Sequence, residues 1–172
     1  EDARAAGVRE IERLIAQGAK DAALHKTVEV YGISLEASRS YRYDPHEHGY
    51  GYTAPNGEVT IGGDAFRSVP WLAASLEHEM FHTRQYKEGR GYESRIGEYM
   101  NEVEVRDHVI AQAARFGLSE AETQEQVAKR QELWDRLPRE YQSRVARGDY
   151  TLKLGEDKRL PGWEDKPPKE EP

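Results

Sequence analysis

Leu76-Glu77-His78-Glu79-Met80-Phe81-His82 is the stretch on which the reading of this chain turns. His78 to His82 form an HExxH run. On a helix, side chains at i and i+4 project from one face, so the two imidazoles lie one turn apart and close enough to share a cation. Glu79 falls about 100° further round the helix, where it reaches a water beside the cation rather than the cation itself. That arrangement suits zinc-dependent hydrolysis. The competing interpretation is a solvated polar face carrying two incidental histidines.

The flanks predict a helix from Trp71 to Tyr86. Ser68 is placed to cap it, Pro70 falls in the first turn where a missing N–H costs little, and Gly89 and Gly91 mark the far end. Leu72, Leu76, Met80 and Thr83 share one side, which reads as the packing face. Trp71, Ser75, His78, His82 and Gln85 share the other, which reads as the wall of a cleft.

A catalytic zinc takes three protein ligands and keeps one position open. The chain has no Cys, so the third ligand is His, Asp or Glu. The next helical segment, about Glu93 to Phe116, offers Glu98, Glu102 and Glu104. Glu102 lies on a stripe with Val105, Val109 and Ala113, towards a packed surface where an unpaired carboxylate is costly and a metal relieves the cost. Glu98 lies one turn earlier on the same stripe. Glu104 points the other way, among Met100, Asn101, Asp107 and His108, a face that reads as solvated. Glu102 is the favoured ligand, with Glu98 and Glu104 as alternatives.

His78-Glu79-x-x-His82 followed by Asn101-Glu102-Val103-Glu104-Val105 resembles the gluzincin branch of the zincin metallopeptidases. The resemblance implies a zincin-like fold, one Zn2+ held by His78, His82 and Glu102, and Glu79 as the general base. Arg106 stands where many members carry an Asp that orients a ligand His. Gly57-Glu58-Val59-Thr60-Ile61-Gly62 and Leu72 to His78 are also similar to small bacterial metallopeptidase domains of secreted polymorphic toxins and effectors, Rhs- and VgrG-linked ones among them. That likeness implies delivery out of a bacterial cell as part of a larger polypeptide, and a cognate immunity or inhibitor protein as partner.

The 172 residues suffice for one domain with its own core, predicted over residues 1–154, with 155–172 a solvated, flexible tail rich in Lys, Glu, Asp and Pro. The chain opens on Glu1, as an excised or processed piece would. A net charge of −7 argues against nonspecific nucleic-acid binding, which draws its affinity from basic contacts to phosphate. No apolar run reaches membrane-spanning length.

The expected architecture is α+β: a small, mostly antiparallel sheet packed on the HExxH helix and the Glu-bearing helix, with further helices towards the C-terminus. Asp2 to Gly18 reads as an amphipathic helix with Val8, Ile11, Leu14 and Ile15 as its stripe. Thr27 to Leu35 reads as a strand, and Ser40 to Tyr43 as a continuation of the sheet. Gly49–Thr53 and Glu58–Gly62 flank Pro55-Asn56-Gly57 as a hairpin. Ser119 with Glu122 is a capping box opening a helix to about Arg136, and Pro138 opens another to Arg147. Trp134 reads as packing, and Arg139, Arg144 and Arg147 as a solvated face.

In zincin-like folds an edge strand beside the cleft pairs with an extended polypeptide substrate. Glu58, Val59, Thr60 and Ile61 are the candidate strand. Tyr86, His108 and the Asp44–Tyr52 loop, with His46, His48, Tyr50 and Tyr52, are candidates to stabilise the oxyanion. The leading expectation is therefore a zinc metallopeptidase; the alternative is a catalytically silent zinc-containing binding or regulatory module.

Overall fold

A computed structural model describes residues 2–153 and 155–158. Helix α1 (Ala3–Ala16) is capped by the Asp2 carboxylate and buries Ile11 against α2 (Lys20–Tyr31). Strands β1 (Ser40–Tyr43), β2 (Gly51–Thr53) and β3 (Glu58–Ile61) follow, then a 3-10 turn over Gly63–Arg67. The remainder is helical: α3 (Val69–Lys87), α4 (Arg95–Ala111), the single turn α5 (Ala113–Phe116), α6 (Glu120–Arg136) and α7 (Arg139–Ala146). The architecture is α+β. Among the described residues, no helix is long and apolar enough to cross a membrane.

Four features depart from the sequence expectation. First, Thr27–Tyr31 is helical, the second half of α2, and Gly32 is its left-handed cap (φ 62°) rather than a bend in a strand. Ala23, Leu24, Thr27 and Tyr31 recur at helical spacing and all are buried. The Thr27 hydroxyl donates to the Ala23 carbonyl (2.7 Å), an outlet that lets a β-branched residue sit in a buried helix.

Second, the sheet is mixed rather than mostly antiparallel, in the order β1-β3-β2. β1 runs parallel to β3, with Ser40 opposite Glu58, and β2 runs antiparallel to it, with Thr53 opposite Val59. Glu58–Ile61 is thus the central strand, with Val59 and Ile61 in the core, and β1 and β2 form the two edges. The Pro55-Asn56-Gly57 turn does join the two. Gly57 sits at φ +90°, and a Cβ there would also press on the Ala37 carbonyl.

Third, the predicted second long helix is broken at Gln112 into α4 and α5. Fourth, two residues just past 154 contact the rest of the domain: Glu156 pairs with Arg144, and the Asp157 carboxylate accepts from the Glu93 and Ser94 amides (2.7 and 2.9 Å). Arg144 is therefore not part of a solvated face, and the proposed tail beyond residue 158 lies outside the described residues.

Helix α3 is the axis of the molecule. Thirteen of its nineteen residues are buried, so both sides pack, not only the Leu72–Leu76–Met80 side. That side joins Ile11, Leu24 and Ile61 in one core; Ile96, Met100, Val103, Leu137 and Tyr141 make a second. Helix α4 spans both, because Val105 and Val109 belong to the first. This double anchorage fixes α4 beside α3.

Candidate metal centre

Ser68 caps α3 through its hydroxyl, which accepts from the Trp71 amide (3.1 Å), and Pro70 occupies the first turn, so the helix starts where the sequence places it. His78 and His82 then fall one turn apart, with their Nε2 atoms 3.2 Å from each other. Helix α4 begins at the Ser94 cap and carries Glu102 to the same point. Glu102 Oε1 lies 2.7 Å from His82 Nε2, and Oε2 lies 3.3 Å from His78 Nε2.

The spacing fits a small cation. A tetrahedral ion with bonds of about 2.0–2.1 Å separates its ligand atoms by about 3.3 Å, close to the 2.7–3.3 Å found here. The donor set, two imidazole nitrogens and a carboxylate oxygen, matches zinc's preference. His78, Glu79 and His82 also offer ligand atoms within 4.8 Å of one another, so either carboxylate is in range of the imidazole pair. Glu102 is the better ligand because it faces both rings directly. Glu79 is instead engaged by β2: the Thr53 hydroxyl lies 3.0 Å from the Glu79 carbonyl and 3.3 Å from its Oε1.

The alternatives to Glu102 are occupied elsewhere. Glu98 is half-exposed and paired with Arg95 at 2.9 Å. Glu104 is not on a solvated face: it is largely buried and ion-paired with Arg90, beside buried Met100 and Asn101.

The electrostatics follow from burial and proximity. Burial alone would lower the pKa of His82, but the Glu102 carboxylate, by charge and hydrogen bond, raises it to about 9. Burial likewise resists ionisation of Glu102, yet the two facing imidazoles hold its carboxyl well below the ordinary value. Glu79 is raised, chiefly by burial, with the Glu102 charge adding to it; the imidazoles and the Thr53 hydroxyl act the other way.

These groups open onto a cleft of roughly 480 Å³ running along the Trp71–Ser75–His78–His82 face of α3. Tyr50, Tyr52, Tyr86, Tyr92 and Tyr99 give it aromatic walls. Tyr86 stacks on His82 (ring centroids 6.4 Å apart), and burial raises its pKa, so it keeps its proton.

The remaining candidates separate cleanly. His48, Tyr50 and Tyr52 border the cleft, whereas His46 is an exposed loop residue outside it. His108 faces away, with its Nε2 2.9 Å from Glu77 Oε1 and its ring on Phe81. Glu58, Val59, Thr60 and Ile61 do not line the cleft, because β2 stands between them and it. Arg106, where the resemblance places an Asp, is buried in the cleft wall and donates to Gln126 Oε1 (2.7 Å).

Two residues set against Glu79 escaped the sequence reading. Thr53 holds Glu79, and Gly51 makes room for it: a Cβ at Gly51 would lie 3.0 Å from Glu79 Cγ and 2.9 Å from the Thr60 carbonyl. The signal was Gly51-x-Thr53 at strand spacing, which points both residues to one face. No protein-family model, curated protein or solved structure matches the chain.

Proposed function

We propose that this chain is a zinc metallopeptidase with a zincin-like fold. The observation that carries the reading is the meeting of His78, His82 and Glu102 within 3.3 Å of one another, beside a buried Glu79. A Zn2+ held by those three groups would supply Lewis acidity, polarising a carbonyl and acidifying water.

The protein's own residues do the rest. Glu79 accepts a proton from water as the oxygen attacks the peptide carbonyl, then returns it to the departing amine. A carboxylate raised by burial suits that exchange, being basic enough to take the proton and acidic enough to give it back. Tyr86, neutral and in the cleft wall beside His82, is a hydroxyl donor available to the developing oxyanion. Substrate binding moves from the central strand β3 to β2, the edge strand bordering the cleft, where an extended polypeptide adds a strand through main-chain bonds. The role of a secreted toxin or effector with a cognate inhibitor belongs to the same proposal and rests on the resemblance of residues 57–62 and 72–78.

Metal analysis paired with Glu79→Ala tests the reading. The variant should retain one zinc per chain and lose proteolysis of an unfolded protein substrate by about 10²–10⁴-fold. Full activity in that variant, or a wild-type chain without zinc, overturns it.

A further inference from the structure

We propose that Gln85 is a positioning residue that locks His82 in the tautomer a cation needs; the inference rests on the metal-site reading above. Gln85 is 1% exposed and lies on α3 one turn beyond His82. Its Oε1 is 2.8 Å from His82 Nδ1. Its Nε2 is 2.8 Å from Glu104 Oε1 and 3.1 Å from the main-chain oxygen of Asn101.

The neighbours fix which end of the amide points where. A main-chain carbonyl accepts only, and so does Glu104, ion-paired with Arg90. The NH2 of Gln85 therefore faces those two oxygens, and only Oε1 is left for His82. An oxygen there requires a proton on Nδ1. In a neutral ring the lone pair is then on Nε2, the atom 2.7 Å from Glu102 Oε1 and 3.2 Å from His78 Nε2. The other tautomer would set two acceptors against each other at 2.8 Å in a buried site.

The lock is itself braced. Arg90 pairs with Glu104 and reaches Asn101 Oδ1 (3.4 Å), while Asn101 Nδ2 donates to the Arg90 carbonyl (2.7 Å). Asn101 and Glu104 flank Glu102 on α4. One helical turn thus supplies the carboxylate and, through Gln85, orients the ring opposite it. This gives His82 the partner that the resemblance would have sought at Arg106.

The test is the zinc dissociation constant, measured by competition with a chromogenic chelator at neutral pH, with folding followed by circular dichroism. Gln85→Met keeps the length but removes both polar ends, and should weaken zinc by about 10–100-fold. In zinc-loaded wild type the 15N shifts of His82 should show a protonated, hydrogen-bonded Nδ1, a signature that Gln85→Met should lose. If Gln85→Met does not fold, Gln85→Asn, whose oxygen falls short of Nδ1, takes its place with the same expected loss. Wild-type affinity in Gln85→Met or Gln85→Asn, or an unprotonated His82 Nδ1 in the zinc-loaded wild type, overturns the inference alone. A wild-type chain that binds no zinc overturns it together with the metal-site reading.

Discussion

In cation-free protein, stability should fall as the pH rises from about 6.5 to about 9. The cause is His82, whose pKa is raised from 6.5 to about 9 by Glu102. Between those values the folded chain holds a proton that the unfolded chain has released, so unfolding becomes easier by about 1.4 kcal/mol per pH unit. Across the window the loss amounts to about 3 kcal/mol at most. The stabilisation is fully present below pH 6.5 and gone above 9. Glu102, lowered, has the opposite dependence: its contribution is present above the ordinary carboxylate pKa and is lost on acidification. The two are one attraction seen from both partners and are not added. Urea unfolding of chelator-treated protein across this range measures the slope, with His82→Gln as the reference in which it should disappear. Zinc, which needs the Nε2 lone pair, should stabilise increasingly over the same range because its binding releases that proton. A cation-free stability that is flat or rising between pH 6.5 and 9, or the same slope in His82→Gln, would refute the reasoning.

Thr53→Val removes a hydroxyl that lowers the pKa of Glu79, so the acidic limb of the kcat/KM profile should move to higher pH, read from proteolysis rates across pH. Gly51→Ala places a methyl 2.9 Å from a backbone oxygen and 3.0 Å from Glu79 Cγ. Because the backbone yields little, the base should be displaced; activity should fall at least tenfold with zinc retained, and thermal unfolding should show a loss of about 1–3 kcal/mol.

Patterns confined to one helix were legible. The Ser68 cap, the one-turn spacing of His78 and His82, and the Ser119–Glu122 capping box all came from neighbours three or four residues apart. Strand assignment at Thr27–Tyr31 failed because β-branched residues signalled a sheet, whereas the face they bury has helical period. Strand order was not readable at all. A parallel partner for β3 lies a whole hairpin earlier in the chain, and nothing in Glu58–Ile61 distinguishes a central strand from an edge.

The sequence by itself determined the helical register of His78, Glu79 and His82 and favoured Glu102 over Glu98 and Glu104 as the carboxylate to meet them, because side-chain direction along a helix is fixed by its 3.6-residue period. Bringing Glu102 up to both imidazoles, setting Thr53 and Gly51 against Glu79, and turning Gln85 towards His82 required the crossing of α3 with α4 and β2. Those are contacts between elements, decided by how two cores pack on either side of α4, and no local spacing encodes them.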